Sequence, residues 1–309
     1  GKILKKSIFK IKSNTNYYIK NPKDEKFYKT AFLTGTNALV SKSKFIELGG
    51  FCYLFSPFYV EDIELSMRAL RMGYKCYYSP KSICKHQISA TIKKHSSKPK
   101  ILKTNIRNKF YLHIIHLNKF NLTGWFVQLF CETIFRIITF KKPYLKAIEE
   151  LISNFNAVMV FRNQFSDKLK FKGLNNDASL VIEDLNKEIL FPCIQNIIRP
   201  KTRPFHFTIQ KLFSYLLLIL RSWICKLLTG VVITKNVALT LTACLKSLQQ
   251  VVDEIIIVDS GSNDQTLEIA KQFGCNIIQT NWLGYGSTKN LGNEAAKYPY
   301  ILSLDSDEE

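Results

Sequence analysis

The chain has 309 residues, 46% hydrophobic and 13% aromatic, with a formal net charge of +20, enough apolar material to exclude wholesale disorder. The charge is unevenly divided: from Thr229 onward 5 Lys and no Arg stand against 10 acids (5 − 10 = −5), so residues 1–228 carry 39 basic and 14 acidic side chains (+25). Such asymmetry marks two differently used regions, and the basic one suits an anionic membrane face, phosphorylated substrates or nucleic acid.

In chain order, Gly1-Lys-Ile-Leu-Lys-Lys has no apolar run of a secretory signal, and residues 1–29 are Lys-rich and expected to be mostly solvated. Ala31–Val40 (AFLTGTNALV) predicts a strand, followed by a short helix and a turn at Gly49-Gly50-Phe51. Tyr59-Val60-Glu61-Asp62 opens a helix over Ile63–Met72 that stops at Gly73, with extended pieces at Lys75–Tyr78 and Ser82–His86. From Ile106 to about Phe165 the pattern is helical and aromatic. Phe120–Phe140 is long enough to span a bilayer but contains Glu132 and Arg136, which predicts an interfacial or packed helix. Residues 171–211, with Arg-Pro-Lys-Thr-Arg-Pro at 199–204, read as a linker, and Leu212–Leu220 as a short amphipathic surface helix. The eight cysteines form no Cys-x-x-Cys pair, which argues against a zinc site or disulfide framework and suits a reducing compartment.

Beyond residue 229 the punctuation is regular. Strands are predicted at Gly230–Thr234, Glu254–Val258, Asn276–Gln279 and Tyr300–Leu304, with helices at Leu241–Leu248, Gln265–Phe273 (Gly274 as its cap) and Ser287–Lys297. This alternation means βαβ units and a parallel sheet covered on both faces. Ligands in such sheets bind outside the carboxyl ends of the strands, where this sequence places Thr234 to Asn236, Asp259, and Asp305 with Asp307.

Asp305-Ser306-Asp307 offers two carboxylates to a hard divalent cation, Mg2+ or Mn2+, that completes its shell with phosphate oxygens. A lone Asp-x-Asp is more often an ordinary acidic loop; its place beside Asp259 on one sheet edge favours the metal reading. Asp259 suits contact with a ribose or base edge, while Asn263 or Asp264 serves as helix cap. Glu61 and Asp62 fit either a first-turn acidic cap or a general base that takes a hydroxyl proton. His86 is either an ordinary surface or core histidine or a metal ligand. No Gly-rich dinucleotide or P-loop motif follows a strand, and no nucleic-acid motif is present.

These residues carry a resemblance. VVITKN, CLKSL, VDEIIIVDSGSNDQTLEIAKQFG, NWLGYGSTKN and YILSLDSDE in 230–309 resemble the nucleotide-binding half of glycosyltransferase family 2, in its lipopolysaccharide-core glucosyltransferase type. FLTGTNALVSKSKFIELGGF and FYVEDIELSMRALRMGYKCYYSPKSICKH in 32–86 resemble the acceptor half of the same family, in its rhamnosyltransferase-like branch. Val237 departs from the pattern, since an acidic residue usually follows the Thr-Lys-Asn.

The resemblance implies an α/β fold of GT-A type and an inverting, metal-dependent hexosyl or rhamnosyl transfer. The donor would be a UDP- or dTDP-sugar and the acceptor a lipopolysaccharide, other cell-surface glycan or lipid-linked sugar. By the same resemblance Thr234, Asn236, Asp259, Ser260, Asp305 and Lys289 bind the nucleotide-sugar. Asp305, Asp307 and His86 hold the metal, and Asp62 with Glu61 supplies the base. The aromatic helices look like a membrane-proximal tail, which implies a cytoplasmic, peripheral protein on the anionic inner face of a bacterial inner membrane, with no nucleic-acid partner. The rival class is a non-catalytic basic membrane- or nucleic-acid-binding protein with remnant transferase halves.

The halves stand in reversed order. Residues 1–105 read as the acceptor and catalytic-base half, 106–170 as aromatic helices, 171–228 as linker with a short helix, and 229–309 as a nucleotide half that stops after Asp-x-Asp. The first expectation is therefore the end of one transferase joined to the start of another, with Asp62 far from Asp305. A circular permutation and completion by a neighbouring chain are the alternatives.

Overall fold

The computed structural model describes residues 2–7, 9–16, 27–35, 37–80, 96–174, 177–185, 187 and 228–308. Strands β1 (Lys2–Ser7) and β2 (Lys10–Asn16) form an antiparallel hairpin, and β3 (Tyr28–Thr30) is followed by β4 (Ala38–Ser41). Helix α1 (Lys42–Leu48) leads to α2 (Glu61–Arg71), then to β5 (Cys76–Tyr78), which pairs with β3. Three long helices follow: α3 (Lys98–His116), α4 (Lys119–Ile138) and α5 (Lys142–Phe171). The remaining elements are β6 (Leu228–Thr234), α6 (Ala238–Leu248), β7 (Glu254–Asp259), α7 (Thr266–Gln272), β8 (Asn276–Gln279), α8 (Tyr285–Ala295) and β9 (Tyr300–Asp305). The expected elements at Ser82–His86, 199–204 and Leu212–Leu220 lie outside the described residues.

Period two builds the main sheet. Val231, Ile233, Ile256 and Val258 bury on the face covered by α8, while Val232, Ile255 and Ile257 bury against α6 and α7, as alternate side chains of a strand must. Strands β8, β7, β6 and β9 run parallel. Helix α8 lies tight on this sheet because Gly292 has no side chain: a Cβ there would sit 2.5 Å from Val231 Cγ1 and 2.9 Å from Val258 Cγ2.

The fifth strand comes from the other end of the chain. β4 lies antiparallel on β9, with Ala38 opposite Ser303 and Ser41 opposite Tyr300, giving the order β4-β9-β6-β7-β8. The sheet is therefore mixed rather than purely parallel. Of the predicted strand Ala31–Val40 only its last three residues, extended to Ser41, are paired. Residues 31–35 instead lie between β3 and β4 outside either ladder, because their backbone groups serve side chains: Leu33 N–H donates to Ser66 Oγ at 3.1 Å and Gly35 N–H to Asp62 Oδ2 at 3.3 Å. The expectation of a solvated N-terminus is replaced by the β1–β2 hairpin, seated on α3 and α4 through Ile11 and Phe9.

The helices hold the acceptor-like segment from behind. Asn108 of α3 is fully buried and its Nδ2 donates to the carbonyls of Phe55, Phe58 and Tyr59 at 2.7–3.0 Å. Arg68 of α2 is also buried and uses its whole guanidinium: Nε and Nη2 bond the two oxygens of Glu64 at 2.7 Å, and the nitrogens also reach Leu48 O and Gly50 O. Removing one partner of such a pair strands a buried charge. Arg68→Met should therefore lower the unfolding free energy by about 3–5 kcal/mol, and Arg68→Met with Glu64→Leu should recover much of the loss in denaturant titrations.

Two further buried groups set an acid limit. Burial lowers His113 and His116 to about 4 from an ordinary 6.5, and His113 accepts the Ile11 N–H at Nε2 and stacks on Trp125. The unfolded chain binds these protons first as pH falls, so both stabilise the fold above about 6.5 and lose that contribution towards about 4. Thermal unfolding at pH 7 and pH 5 should show a lower midpoint at pH 5, and a flat profile would contradict the assignment.

Candidate active site

Apolar strands end where the sheet meets water, so polar residues gather at the carboxyl edge. At the end of β7, Asp259 is fully buried. Its Oδ1 accepts from Thr234 Oγ1 at 2.8 Å and Ser262 Oγ at 2.5 Å, and its Oδ2 from the amides of Gly261 at 3.0 Å and Ser262 at 2.8 Å. With both oxygens taken, Asp259 shapes the loop. The group left open here is Ser260 Oγ, buried and without a protein partner. Asn236, at φ 52°, stitches the neighbouring loop by donating its amide to Ser262 Oγ and accepting from Asn263 N–H at Oδ1. Asp264 accepts from the Thr266 and Ala238 amides at the entrances of α7 and α6, which is a capping arrangement.

At the end of β9, Asp305 Oδ1 stands 2.9 Å from Lys289 Nζ of α8. Lys289 is 3% exposed, and the same ammonium donates to Gly35 O at 2.5 Å. Gly35 N–H in turn donates to Asp62 Oδ2, and Ile63 N–H to Asp62 Oδ1 at 2.8 Å. One cation thus connects the β9 end to the first turn of α2, across 254 residues of sequence. The expected separation of Asp62 from Asp305 is corrected: β4 carries Gly35 to the β9 edge, and Asp62 follows it.

The first turn of α2 is unusual in its backbone. Tyr59 and Val60, the two residues before Glu61, have φ 73° and 74°. A β-branched residue rarely adopts that left-handed region, and such strain persists only where the surroundings impose it; here Asn108 grips the carbonyls of Phe58 and Tyr59. The result aims two adjacent carboxylates at one place. Burial raises Glu61 well above the ordinary carboxylate range, with the Asp62 charge adding to it. Burial also raises Asp62, opposed by the amides of Ile63 and Gly35. Glu61 Oε2 is buried without a partner, so the neutral acid suits Glu61, whereas each oxygen of Asp62 accepts a backbone amide. Tyr285 joins the group: burial raises its hydroxyl, and the charges of Asp305, Asp307 and Glu61 raise it further.

Several contacts close the two segments on each other. Asn290 and the Phe51 backbone exchange hydrogen bonds of 2.8 and 2.9 Å, Tyr285 N–H donates to Pro57 O at 2.9 Å, and Ser56 Oγ donates to Leu283 O at 2.8 Å. Gly284, at φ 95°, permits this approach, since a Cβ would fall 2.9 Å from Pro57 Cα. A cavity of about 210 Å³ beside Asp62 is lined by Leu33, Gly35, Leu65, Asn293 and Ser303. A larger one of about 380 Å³, lined by Glu254, Asn276 and Lys297, lies at the opposite end of the strands. His86 lies outside the described residues, and among these no three His, Cys, Asp or Glu side chains form a metal cluster. Asp305 and Asp307 still fit a hard cation, which needs only one or two protein carboxylates beside substrate phosphates. The sequence reading missed Gly35, Tyr285 and Asn290, whose roles depend on contacts across more than two hundred residues.

Comparison with known proteins joins both segments. The glycosyl transferase family group 2 model matches residues 11–245, and the glycosyl transferase family 2 model matches residues 229–309. The chain belongs to the family 2 glycosyltransferases. Its similar relatives include uncharacterised glycosyltransferases of Rickettsia felis, 39% identical over 82 residues, and Rickettsia bellii, 37% identical over 84 residues. These matches cover 26% and 27% of this chain, and the chain spans only 29% of the length of each of these relatives. Among solved structures, the Mycobacterium tuberculosis glucosyl-3-phosphoglycerate synthase is 23% identical over 34% of this chain and 40% of that one, with a TM-score of 0.23.

In this family 2 chain the Lys289–Asp305 pair is open to direct test. Lys289→Met, Asp305→Asn and the double variant should form a non-additive cycle, with a coupling of about 0.5–3 kcal/mol in unfolding free energy. Additive losses would mean that the pair joins nothing.

Proposed function

We propose that both segments build one glycosyl-transfer site, in place of two incomplete ones. It would move a hexosyl or rhamnosyl unit from a UDP- or dTDP-sugar to a hydroxyl of a lipopolysaccharide or other cell-surface glycan, carried on a lipid at the cytoplasmic face of a bacterial inner membrane. The observation that carries this reading is the Lys289 ammonium, held between Asp305 and the Gly35–Asp62 turn. It links Asp305 at the end of β9 to Asp62 in the first turn of α2 through Gly35.

In this reading Ser260, with the loop that Thr234, Asn236 and Asp259 shape, receives the nucleoside. Asp305 and Asp307 would hold Mg2+ or Mn2+, which when bound would supply positive charge to the departing diphosphate. Asp62 in its anionic form, its two oxygens oriented by the amides of Ile63 and Gly35, takes the proton of the acceptor hydroxyl. The freed oxygen pair bonds the anomeric carbon from the side opposite the diphosphate. The anomeric carbon–oxygen bond breaks with its electron pair on the diphosphate, and the configuration inverts. Glu61, protonated, donates a hydrogen bond into the same space. The apolar cavity beside Asp62 gives room for part of the acceptor. Lys289, engaged by Asp305 and Gly35, orders the acids and keeps a third N–H for a phosphate oxygen of the donor.

Two measurements test this. Calorimetry should detect a UDP- or dTDP-sugar only with Mg2+ or Mn2+ present, and Asp307→Ala should abolish the heat; binding unchanged by a chelator would refute the metal reading. Asp62→Asn should keep donor binding and lower kcat by about 10²–10⁴-fold, whereas an unchanged kcat removes Asp62 from the chemistry.

A further inference from the structure

Helix α4 is amphipathic in the wrong sense for a helix in water. Its outward positions include Phe120, Val127, Phe130, Ile134, Phe135 and Ile138, each 46–78% exposed. At 100° per residue these six occupy an arc of about 140° with no charge among them. The internal charges of the helix, Glu132 and Arg136, lie on the opposite side. There Glu132 meets Lys10 at 3.1 Å, and the Arg136 guanidinium stands over the Tyr144 ring. Trp125 and Leu129 bury on that inner side as well. The fold has turned its charges inward and its phenylalanines outward. Continuous exposed apolar surface of this kind marks an interaction site.

We propose that the outer face of α4 is a docking surface for an anionic lipid bilayer, and that the helix lies in the plane of the interface. This deepens the membrane part of the reading above, yet it stands without the transfer chemistry. Two observations select lipid. The charge complement is basic at both ends of the face: Lys119 opens α4, and Lys141, Lys142 and Lys146 follow it, all exposed. Cations at the rim of an apolar helical face are the pattern of interfacial binding to acidic headgroups. The second is length: no helix among the described residues is long and apolar enough to cross a membrane, so the 20-residue α4 lies along the surface.

Sedimentation of the full chain with vesicles tests the surface. At 0.1 M salt it should partition at least about tenfold more strongly onto phosphatidylcholine vesicles containing phosphatidylglycerol than onto pure phosphatidylcholine, and 1 M salt should weaken the binding. Phe130→Asp with Ile134→Asp should reduce partition about tenfold at an unchanged thermal midpoint. Lys141→Glu with Lys142→Glu should remove the anionic preference. Equal partition onto both vesicles overturns the proposal. So does full binding by the Phe130/Ile134 variant, which would move the contact to another segment such as the apolar residues 205–227. A change of that variant from dimer to monomer without change on vesicles would make the face a self-association surface instead. Calorimetry with the nucleotide-sugar, run on the same variants, keeps failure of this surface distinct from failure of the transfer reading.

Discussion

Everything at the sheet edge depends on one buried ammonium. Lys289 has almost no contact with water, so its charge is tolerable only because Asp305 and the Gly35 carbonyl meet it. The converse holds for the acids. Glu61 and Asp62 stand together in a space where burial alone would drive protons onto them, and the Lys289 charge opposes that. A charge buried on α8 therefore settles where α2 and β4 stand. The neutral contacts around it, Asn290 with Phe51 and Tyr285 with Pro57, fix orientation but could not by themselves hold several carboxylates together.

Behind that edge, polar groups buried in the helices set the backbone of the acceptor side. Asn108 and Arg68 each satisfy backbone carbonyls at the end of α1 and in the segment between α1 and α2. Their targets are the segments that deliver Phe51 to α8 and Glu61 to the pocket. The strained Tyr59–Val60 backbone is held in this setting by Asn108, which donates to the carbonyls of Phe58 and Tyr59. The long helices thus act on the pocket through backbone acceptors, with α3 as the element that touches the loop.

Much of the fold was legible in the sequence where the pattern is local. Strands β6 to β9 follow from β-branched runs and their punctuation, and the helix stop at Gly274 from its left-handed φ of 68°. The edge residues Thr234, Asp259 and Asp305 follow from strand ends. What was not legible is what joins distant segments. β4 has four residues, and nothing in ALVS announces β9 as its partner. Ala31–Leu33 look like strand because they are apolar, yet the amides of Leu33 and Gly35 are claimed by Ser66 and Asp62. The burial of Lys289 and its contact with Gly35 follow from no local pattern in the sequence. The shared edge of β4 and β9 was hidden because the two strands lie far apart in sequence.

The pairing of β4 with β9 also bears on how the molecule comes to exist. Ala38–Ser41 cannot find a ladder until Tyr300–Ser303 is available, so the carboxylate cluster forms late in folding, after closure of a very long loop. Loop-closure entropy grows only slowly with length, so the pairing is affordable at equilibrium, but contacts so distant in sequence slow the search for the native state. During that interval α3, α4 and α5 can assemble from local contacts, with the phenylalanines of α4 already turned outward. A nascent chain would then present its adhesive surface before its chemistry, and the order of events in folding would run from attachment to competence.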